Sequence, residues 1–564
     1  MPHEKILIIH LSRLGDMIQS LPAVKLLKED YPESEITYFA LADFSAPLQG
    51  IPWIDHLLAV STNDIKGVST EDEAIDVEAF DRLFKKIPEL NARYDVLVNM
   101  THNRGSSYLS ERIKARKKRG RVFSKENEIV MAGNWGKYLF AVARNRNANL
   151  LNLVDLYIGM AGVRNRPVTC YLTTNPNIDR QCLERLKSHG YDPGRLAVGF
   201  QMGASKSFRT WPPEHFFRLG ELLGEQLDAQ IILFGSEHER KLADQFNGSG
   251  LFTVINLIGK TPLQDLPSFL KYVHVLVSND TGPMHIAAAV GTKVVGIFMS
   301  TAYFRITGPY GAGHIAIQSN YPCAPCLDST TCSQPLCRES ISPDVALQGV
   351  KLALDPEAGV TNGSNSASLY LSDFESNGTM LHKRLNETAD CFLPWLRSCH
   401  DFTAWVSQTL WNEWLGLEVD YGMLRFSGDD GEIADILPDF KNACLSYGNL
   451  YTQGEEACRN IISEFHKSKP RPEFIQAMIA RVEQTEQEIK SLESPLAIFK
   501  EIHELYSAET DFCNFPRLAH EFIHKYNELE NIIHDFVRRL DRLGQILGKQ
   551  SLVILFSLLI LNIA

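Results

Sequence analysis

The stretch HLSRLGDMIQSLPAV, residues 10–24, follows an apolar run and delivers one carboxylate, Asp16, to the point where a strand pattern becomes a helical one. A carboxylate there has two uses. It charges and caps the first helical turn, or it takes a proton from a substrate. A second stretch, VSNDTGPMHIAAAVG at 277–291, ends a strand at Asn279–Asp280 and opens a helix at Gly282–Pro283. Free N–H groups at such a helix start suit an anion. Asp280 is awkward beside phosphates unless nearby N–H groups hold it, or it bonds a ligand hydroxyl or a protonated His285. The plainer reading is an ordinary Asp/Thr cap. A third stretch, FQMGASKSFRTWPPEHF at 200–216, sets small residues and the Ser205 hydroxyl beside Lys206 and Arg209. That mixture suits a diphosphate; alone, it equally reads as a solvated basic loop. A fourth, LFGSEHERKL at 233–242, offers Glu237 or Glu239 to the hydroxyls of a ribose, or only charge to a helix start.

Two further features carry less chemistry. Cys323, Cys326, Cys332 and Cys337 follow C-x2-C-x5-C-x4-C, a spacing compatible with a small structural metal site, two disulfides or free thiols. The basic runs ERIKARKKRGR at 111–121 and GNWGKYLFAVARNRN read as solvated helix faces, or as contacts for anionic lipid or a phosphorylated acceptor.

The elements that must position these loops follow a βαβ rhythm. KILIIHL, EITYFAL and YDVLVNM read as buried strands around helical patterns; LAVGFQM, AQIILFG, HVLVSND and KVVGIFM repeat the rhythm after about residue 196. Two tandem α/β units put a cleft between facing strand ends, where ligands bind in open parallel sheets. The expected organisation is an α/β domain at 1–175, a second at 176–355, a Gly/Ser/Asn-rich linker at 356–372 and an all-α region at 373–564. The apolar tail SLVILFSLLILNIA, 551–564, is short for a membrane span and reads as a buried or interfacial end helix, or a membrane contact. With 564 residues and a formal charge of -12, the chain is no general nucleic-acid binder. The start lacks the pattern of a secretory signal, and the eleven cysteines do not form a secreted disulfide framework. Cytoplasmic residence is therefore the expectation.

Taken together, ILIIHLSRLGDMIQSLPAV, GASKSFRTWPPEHF, LIGKTPLQDL and SNDTGPMHIAAAVGTKVVGIF resemble glycosyltransferase family 9, the ADP-heptose–lipopolysaccharide heptosyltransferases. The resemblance covers residues 1 to about 355. It implies a bacterial enzyme of lipopolysaccharide biosynthesis with a GT-B fold: two Rossmann-like domains facing a cleft, acceptor on the first, nucleotide sugar on the second. It implies inverting, metal-independent transfer from an ADP-sugar, ADP-L-glycero-D-manno-heptose, to a lipid-linked or glycan acceptor, with no cofactor and with peripheral inner-membrane contact. Asp16 matches the catalytic base. Arg209 stands where members commonly carry a lysine near the donor phosphates. Ser205, Lys206, Glu239, Thr261, Asp280, Thr281, Gly282 and His285 fall to the donor, Ser12 and Arg13 to the acceptor. Arg13 replaces a small hydroxyl residue common in the motif. Rival readings are transfer with another nucleotide sugar or a protein or glycan acceptor, a sugar-nucleotide epimerase of the same shape, and a non-catalytic scaffold acting through its helical C-terminal region.

Overall fold

In the computed structural model, residues 4–385 are described except 67–76, 124–128, 134, 137, 140–148, 150, 247–251, 322, 327–331, 333–334, 360–365 and 375–377; beyond them only 453, 481 and 484 are described. Residues 1–139 and 150–387 form one compact unit. From 386 on, the expected all-α region falls outside the described residues except for 453, 481 and 484, as does the apolar tail; so does most of the basic run at 133–147. No described helix is long and apolar enough to cross a membrane.

The unit contains two sheets. The first has strands β1 (Lys5–His10), β2 (Glu35–Leu41), β3 (His56–Val60), β4 (Arg93–Asn99), β5 (Lys114–Phe123) and β6 (Ile129–Ala132), in the order β3-β2-β1-β4-β5-β6. All neighbours are parallel except β5 and β6. The second has β7 (Ala197–Gln201), β8 (Gln230–Phe234), β9 (Thr253–Asn256), β10 (Val275–Asn279), β11 (Lys293–Phe298), β12 (Ile315–Ser319), β13 (Ala367–Phe374) and β14 (Met380–Arg384). Its order is β14-β13-β12-β11-β10-β7-β8-β9. A parallel strand covered on both faces must be apolar almost throughout. KILIIH obeys this, with five of its six residues buried, and all five residues of β7, β8 and β10 are buried.

The strand order explains where the loops meet. In the first sheet the chain reverses direction of growth between β1 and β4; in the second it does so between β7 and β10. Such switch points leave a crevice outside the carboxyl strand ends. The Asp16 loop leaves β1, and the loops bearing Arg209 and Asp280 leave β7 and β10. Each half has its own apolar core, one around Ile9, Phe39, Leu83 and Leu97, the other around Phe200, Trp211, Val277 and Val295.

The halves also touch directly. A Cβ added to Gly282 would lie 2.7 Å from Leu14 Cδ2, so the helix Gly282–Ala289 packs its first residue against the start of the helix Leu14–Asp30. Backbone and side-chain bonds reinforce this contact: Leu172 N–H donates to Ala289 O at 3.2 Å, and Asn152 Nδ2 donates to Gly308 O at 3.1 Å.

Three expectations change. The run at 111–121 is not a helix face from 114 onward: it is β5, paired with β4. Cross-sheet pairing overrides the helical preference of Lys and Arg. Its cations are drawn to Glu4, Asp95 and Glu111, and a Cβ on Gly120 (φ 79°) would strike Asn99 O. Next, the linker expected over 356–372 is shorter, because β13 begins at Ala367 and joins β12 antiparallel. The alternation of LYLSDF, masked in the sequence by its Gly/Ser/Asn-rich prelude, was the signal. Finally, the region from 373 opens on the last two residues of β13 and then on β14, not on a helix.

Candidate functional site

Asp16 is the third residue of the helix Leu14–Asp30, with Arg13 as its N-cap. The Arg13 backbone N–H favours its charged form, so Asp16 lends charge to the first helical turn. That does not exhaust its role. Burial pushes the Asp16 carboxyl up to about 6, and the Asp280 charge adds to the rise; Arg13 and Arg209 oppose it.

A buried polar ladder holds this helix start from below. Ser20 Oγ donates to Met17 O at 2.8 Å, so it accepts from the Tyr38 hydroxyl at 2.7 Å. Tyr38 oxygen is then left to accept from His10 Nδ1 at 3.1 Å, and His10 Nε2 faces the Tyr157 hydroxyl at 3.5 Å. Burial, with His102 nearby, lowers His10 to about 3, so it is neutral at pH 7 and fits this one tautomer.

In the second half, buried Asn279 stitches two loops together. Its Oδ1 accepts from Trp211 N–H at 2.9 Å and its Nδ2 donates to Met202 O at 2.7 Å. The next residue, Asp280, has a nearly buried side chain, 7% exposed. Arg209 Nη2 pairs with its Oδ2, and the Thr307 hydroxyl donates to the same oxygen at 3.1 Å. His285 Nε2 stands 3.9 Å from Oδ1, too far for a hydrogen bond. Burial lowers His285 to about 4, so at pH 7 it is neutral. Asp280 is thus paired with Arg209 rather than with a protonated His285. The Thr281 side chain makes no cap bond.

Glu239 is held from the end of β7 and from the loop after β8. Its Oε1 accepts from Gln201 Nε2 at 3.2 Å, and its Oε2 accepts from the Ser236 hydroxyl at 2.8 Å. Gly203 leaves the space it occupies: a Cβ there would lie 1.2 Å from Glu239 Oε1. Gly203→Ala must therefore expel this carboxylate from its seat. The variant is expected to keep its melting temperature within a few degrees of the unmodified chain's, because the displaced group is the far end of a flexible side chain. Differential scanning calorimetry of the two measures it.

These groups line one cleft of about 740 Å3. Arg13 and Asp16 enter from the first half; Ser205, Arg209, Glu239, Thr261, Asp280, Thr281, Gly282 and His285 come from the second. The volume is in the usual range for a small-molecule site. Ser12 and Lys206 do not line it, and the Lys206 side chain is exposed before the short turn Ser207–Arg209. Gln19, Gln201, His238 and Thr307 also line it, and no sequence motif singled out these residues themselves. His238 adjoins Glu239 in a stretch already singled out. Thr307 follows β11 at its carboxyl end, the position where ligand loops belong.

The cysteines lie elsewhere. Cys323, Cys326, Cys332 and Cys337 are unbonded thiols, the first and third exposed, the last buried. Burial and the neighbouring thiols push Cys326 and Cys337 above the ordinary range. Among the described residues no three His, Cys, Asp or Glu side chains stand as metal ligands.

Comparison with known proteins bears on this cleft. The sequence pattern of glycosyltransferase family 9 (heptosyltransferase) matches residues 82–336, a span that contains every second-half residue of the cleft. Residues 82–336 are a glycosyltransferase family 9 domain. The chain is 26% identical over 308 residues to a lipopolysaccharide core heptosyltransferase of Haemophilus influenzae, covering 54% of this chain and 81% of that one. It is 24% identical to lipopolysaccharide heptosyltransferase 3 of Escherichia coli, covering 51% and 80%. A family 9 glycosyl transferase structure from Veillonella parvula shares the fold, with a TM-score of 0.51 and 21% identity over 63% of this chain and 98% of that one. The two α/β halves, each a mixed sheet, fit the two-domain GT-B fold.

Proposed function

We propose that this protein is an inverting heptosyltransferase that moves a heptose from an ADP-sugar to a lipopolysaccharide-core-like glycan acceptor. One observation carries the reading. A carboxyl whose proton affinity sits near neutrality, Asp16, faces an Arg209–Asp280 pair and the start of the helix Gly282–Ala289 across one cleft. A base is most effective with a pKa near the working pH. The family match and the two heptosyltransferase relatives support sugar transfer as the chemistry.

In the proposed reaction an acceptor hydroxyl attacks the anomeric carbon from the side opposite the diphosphate. The new C–O bond forms as the bond to the diphosphate oxygen breaks. The hydroxyl proton passes to Asp16, and the nucleoside diphosphate leaves with the electron pair. A single displacement inverts the anomeric centre with one base and no covalent intermediate. Arg209 and the N–H groups that open the helix at Gly282 counter the charge growing on the leaving oxygen. Glu239 keeps lone pairs for ribose hydroxyls, with Thr261, Leu263 and Leu266 walling the adjoining space for the base. Ser205 and Thr281 offer hydroxyls to the donor, and Arg13, exposed at the mouth beside Asp16, receives the acceptor. The reading makes the protein a cytoplasmic enzyme that meets a lipid-linked acceptor at the inner membrane.

Titrating the protein with ADP, UDP and GDP tests the donor. ADP is expected to bind at least about tenfold more tightly than the other two, the discrimination that base-edge hydrogen bonds usually supply. Equal affinities, or transfer from a UDP-sugar and none from ADP-heptose, would overturn the ADP-sugar assignment.

A further inference from the structure

The hairpin β13–β14 lies past the family 9 match, yet it reaches toward the cleft through one buried ring. Phe304, 2% exposed, opens the single turn Phe304–Thr307. Tyr370 of β13 stacks on it with ring centroids 4.1 Å apart and planes 22° from parallel. His382 of β14 meets it edge-on at 5.0 Å and 89°. At the other end of the same turn, Thr307 lines the cleft and donates to Asp280 Oδ2, the oxygen that Arg209 also grips.

A four-residue turn has no stability of its own, because nucleating a helix costs more than one turn returns. Its place is set by what holds its two ends. Phe304 is caught between two hairpin rings, in stacked and edge-on geometries that aromatic pairs favour. The residue after Thr307 is fitted to the same clamp: a Cβ on Gly308 would fall 2.9 Å from His382 Nε2. Gly308 O is tied to Asn152 Nδ2, and Met380 N–H, at the start of β14, donates to Asp155 Oδ2 at 3.1 Å. The hairpin is therefore anchored on the first half while it grips a turn of the second.

We propose that the β13–β14 hairpin is a positioning element of the donor site: Tyr370 and His382 hold Phe304, so that Thr307 fixes Asp280 and Asp280 aims the Arg209 guanidinium into the cleft. Tyr370 and His382 touch no substrate. They act through the turn. The inference rests on the reading that this cleft binds a nucleoside diphosphate.

The test uses the full-length protein, ADP titration and steady-state kinetics. Thr307→Val removes only the hydroxyl, and is expected to weaken ADP binding about tenfold, the usual loss for one hydrogen bond to a charged group. Tyr370→Leu is expected to give a loss of the same order, with kcat falling more than KM rises. Tyr370→Phe keeps the ring and is expected to behave as the unmodified chain. The double variant Thr307→Val/Tyr370→Leu should be no worse than Thr307→Val alone, because both break one chain of contacts. Normal ADP binding by Thr307→Val, or losses that add in the double variant, would overturn the proposal. The Thr307→Val arm stands even where Tyr370→Leu fails to fold. If the unmodified chain itself does not bind ADP, the donor-site reading falls and takes this inference with it; if it binds ADP and Tyr370→Leu, folded, binds equally well, this inference alone falls.

Discussion

Asp16→Asn is expected to lower kcat for transfer about 10^2- to 10^4-fold, the range a positioned general base supplies, while ADP affinity changes little. The unmodified chain should lose kcat/KM tenfold per pH unit below about 6, where the Asp16 carboxyl takes up its proton. The variant should show no such limb. The two measurements are independent: the first tests the size of the contribution, the second tests which group makes it. Near-normal turnover in Asp16→Asn would remove Asp16 from the mechanism, whatever its position.

The same shift predicts a stability effect with a definite sign. The folded protein raises this carboxyl from the ordinary 3.8 to about 6, so folding favours the protonated form. That stabilisation is fully present below about pH 4 and is lost as pH rises through about 6. Above pH 6 the fold bears an ionised carboxylate next to Asp280, at a cost of up to about 3 kcal/mol for a shift of this size. Asparagine carries no charge and escapes the cost. Asp16→Asn should therefore unfold at a higher temperature than the unmodified chain at pH 8, and at nearly the same temperature at pH 4. A site that pays stability for a reactive carboxylate is what a base role requires; a simple helix cap would lose stability when neutralised.

How much of this was legible in the sequence depends on what each feature rests on. The two sheets were readable because fully buried parallel strands must be apolar throughout, and KILIIH, QIILF and VLVSN have few other uses. The loops were readable because glycine, proline and charge cluster where a strand becomes a helix. Partnership was not readable. Nothing in SNDTGPMH says that Asp280 belongs to Arg209 rather than to His285; that follows from burial, which neutralises the histidine, and from a contact between residues 71 positions apart. Thr307 was invisible for the same reason, since its hydroxyl matters only through Asp280. In β5 a run of lysines and arginines concealed a strand, because sheet pairing is decided by a neighbour and not by local preference. Lys206 shows the converse: a cation in a convincing motif that points to solvent. Asp16 lies before the span matched by family 9, so its assignment rests on the first-half geometry and on the loop that carries it.

Arg209→Ala is the second large effect, and it has two separable parts. Loss of the guanidinium should lower kcat/KM about 10^2- to 10^3-fold at pH 8, as when one preorganised donor is taken from a developing oxyanion. Arg209→Lys should recover part of this, since charge is kept while the fork-shaped donor geometry is lost. The second part is the pH profile. Without Arg209, Asp280 remains a nearly buried carboxylate held by the Thr307 hydroxyl, with a neutral His285 beyond bonding distance. Arg209 lowers the proton affinity of Asp16, so its removal is expected to move the acid limb of kcat/KM upward. Asp280 raises that affinity, and does so more strongly than Arg209 lowers it. The double variant Arg209→Ala/Asp280→Asn should thus bring the limb back to about 6 or below without restoring the rate. That combination, a profile rescued and a rate not, is expected only if Asp16 titrates beside Asp280 while Arg209 serves the leaving phosphate. A limb that stays at its original position in Arg209→Ala would show that the titrating group lies elsewhere.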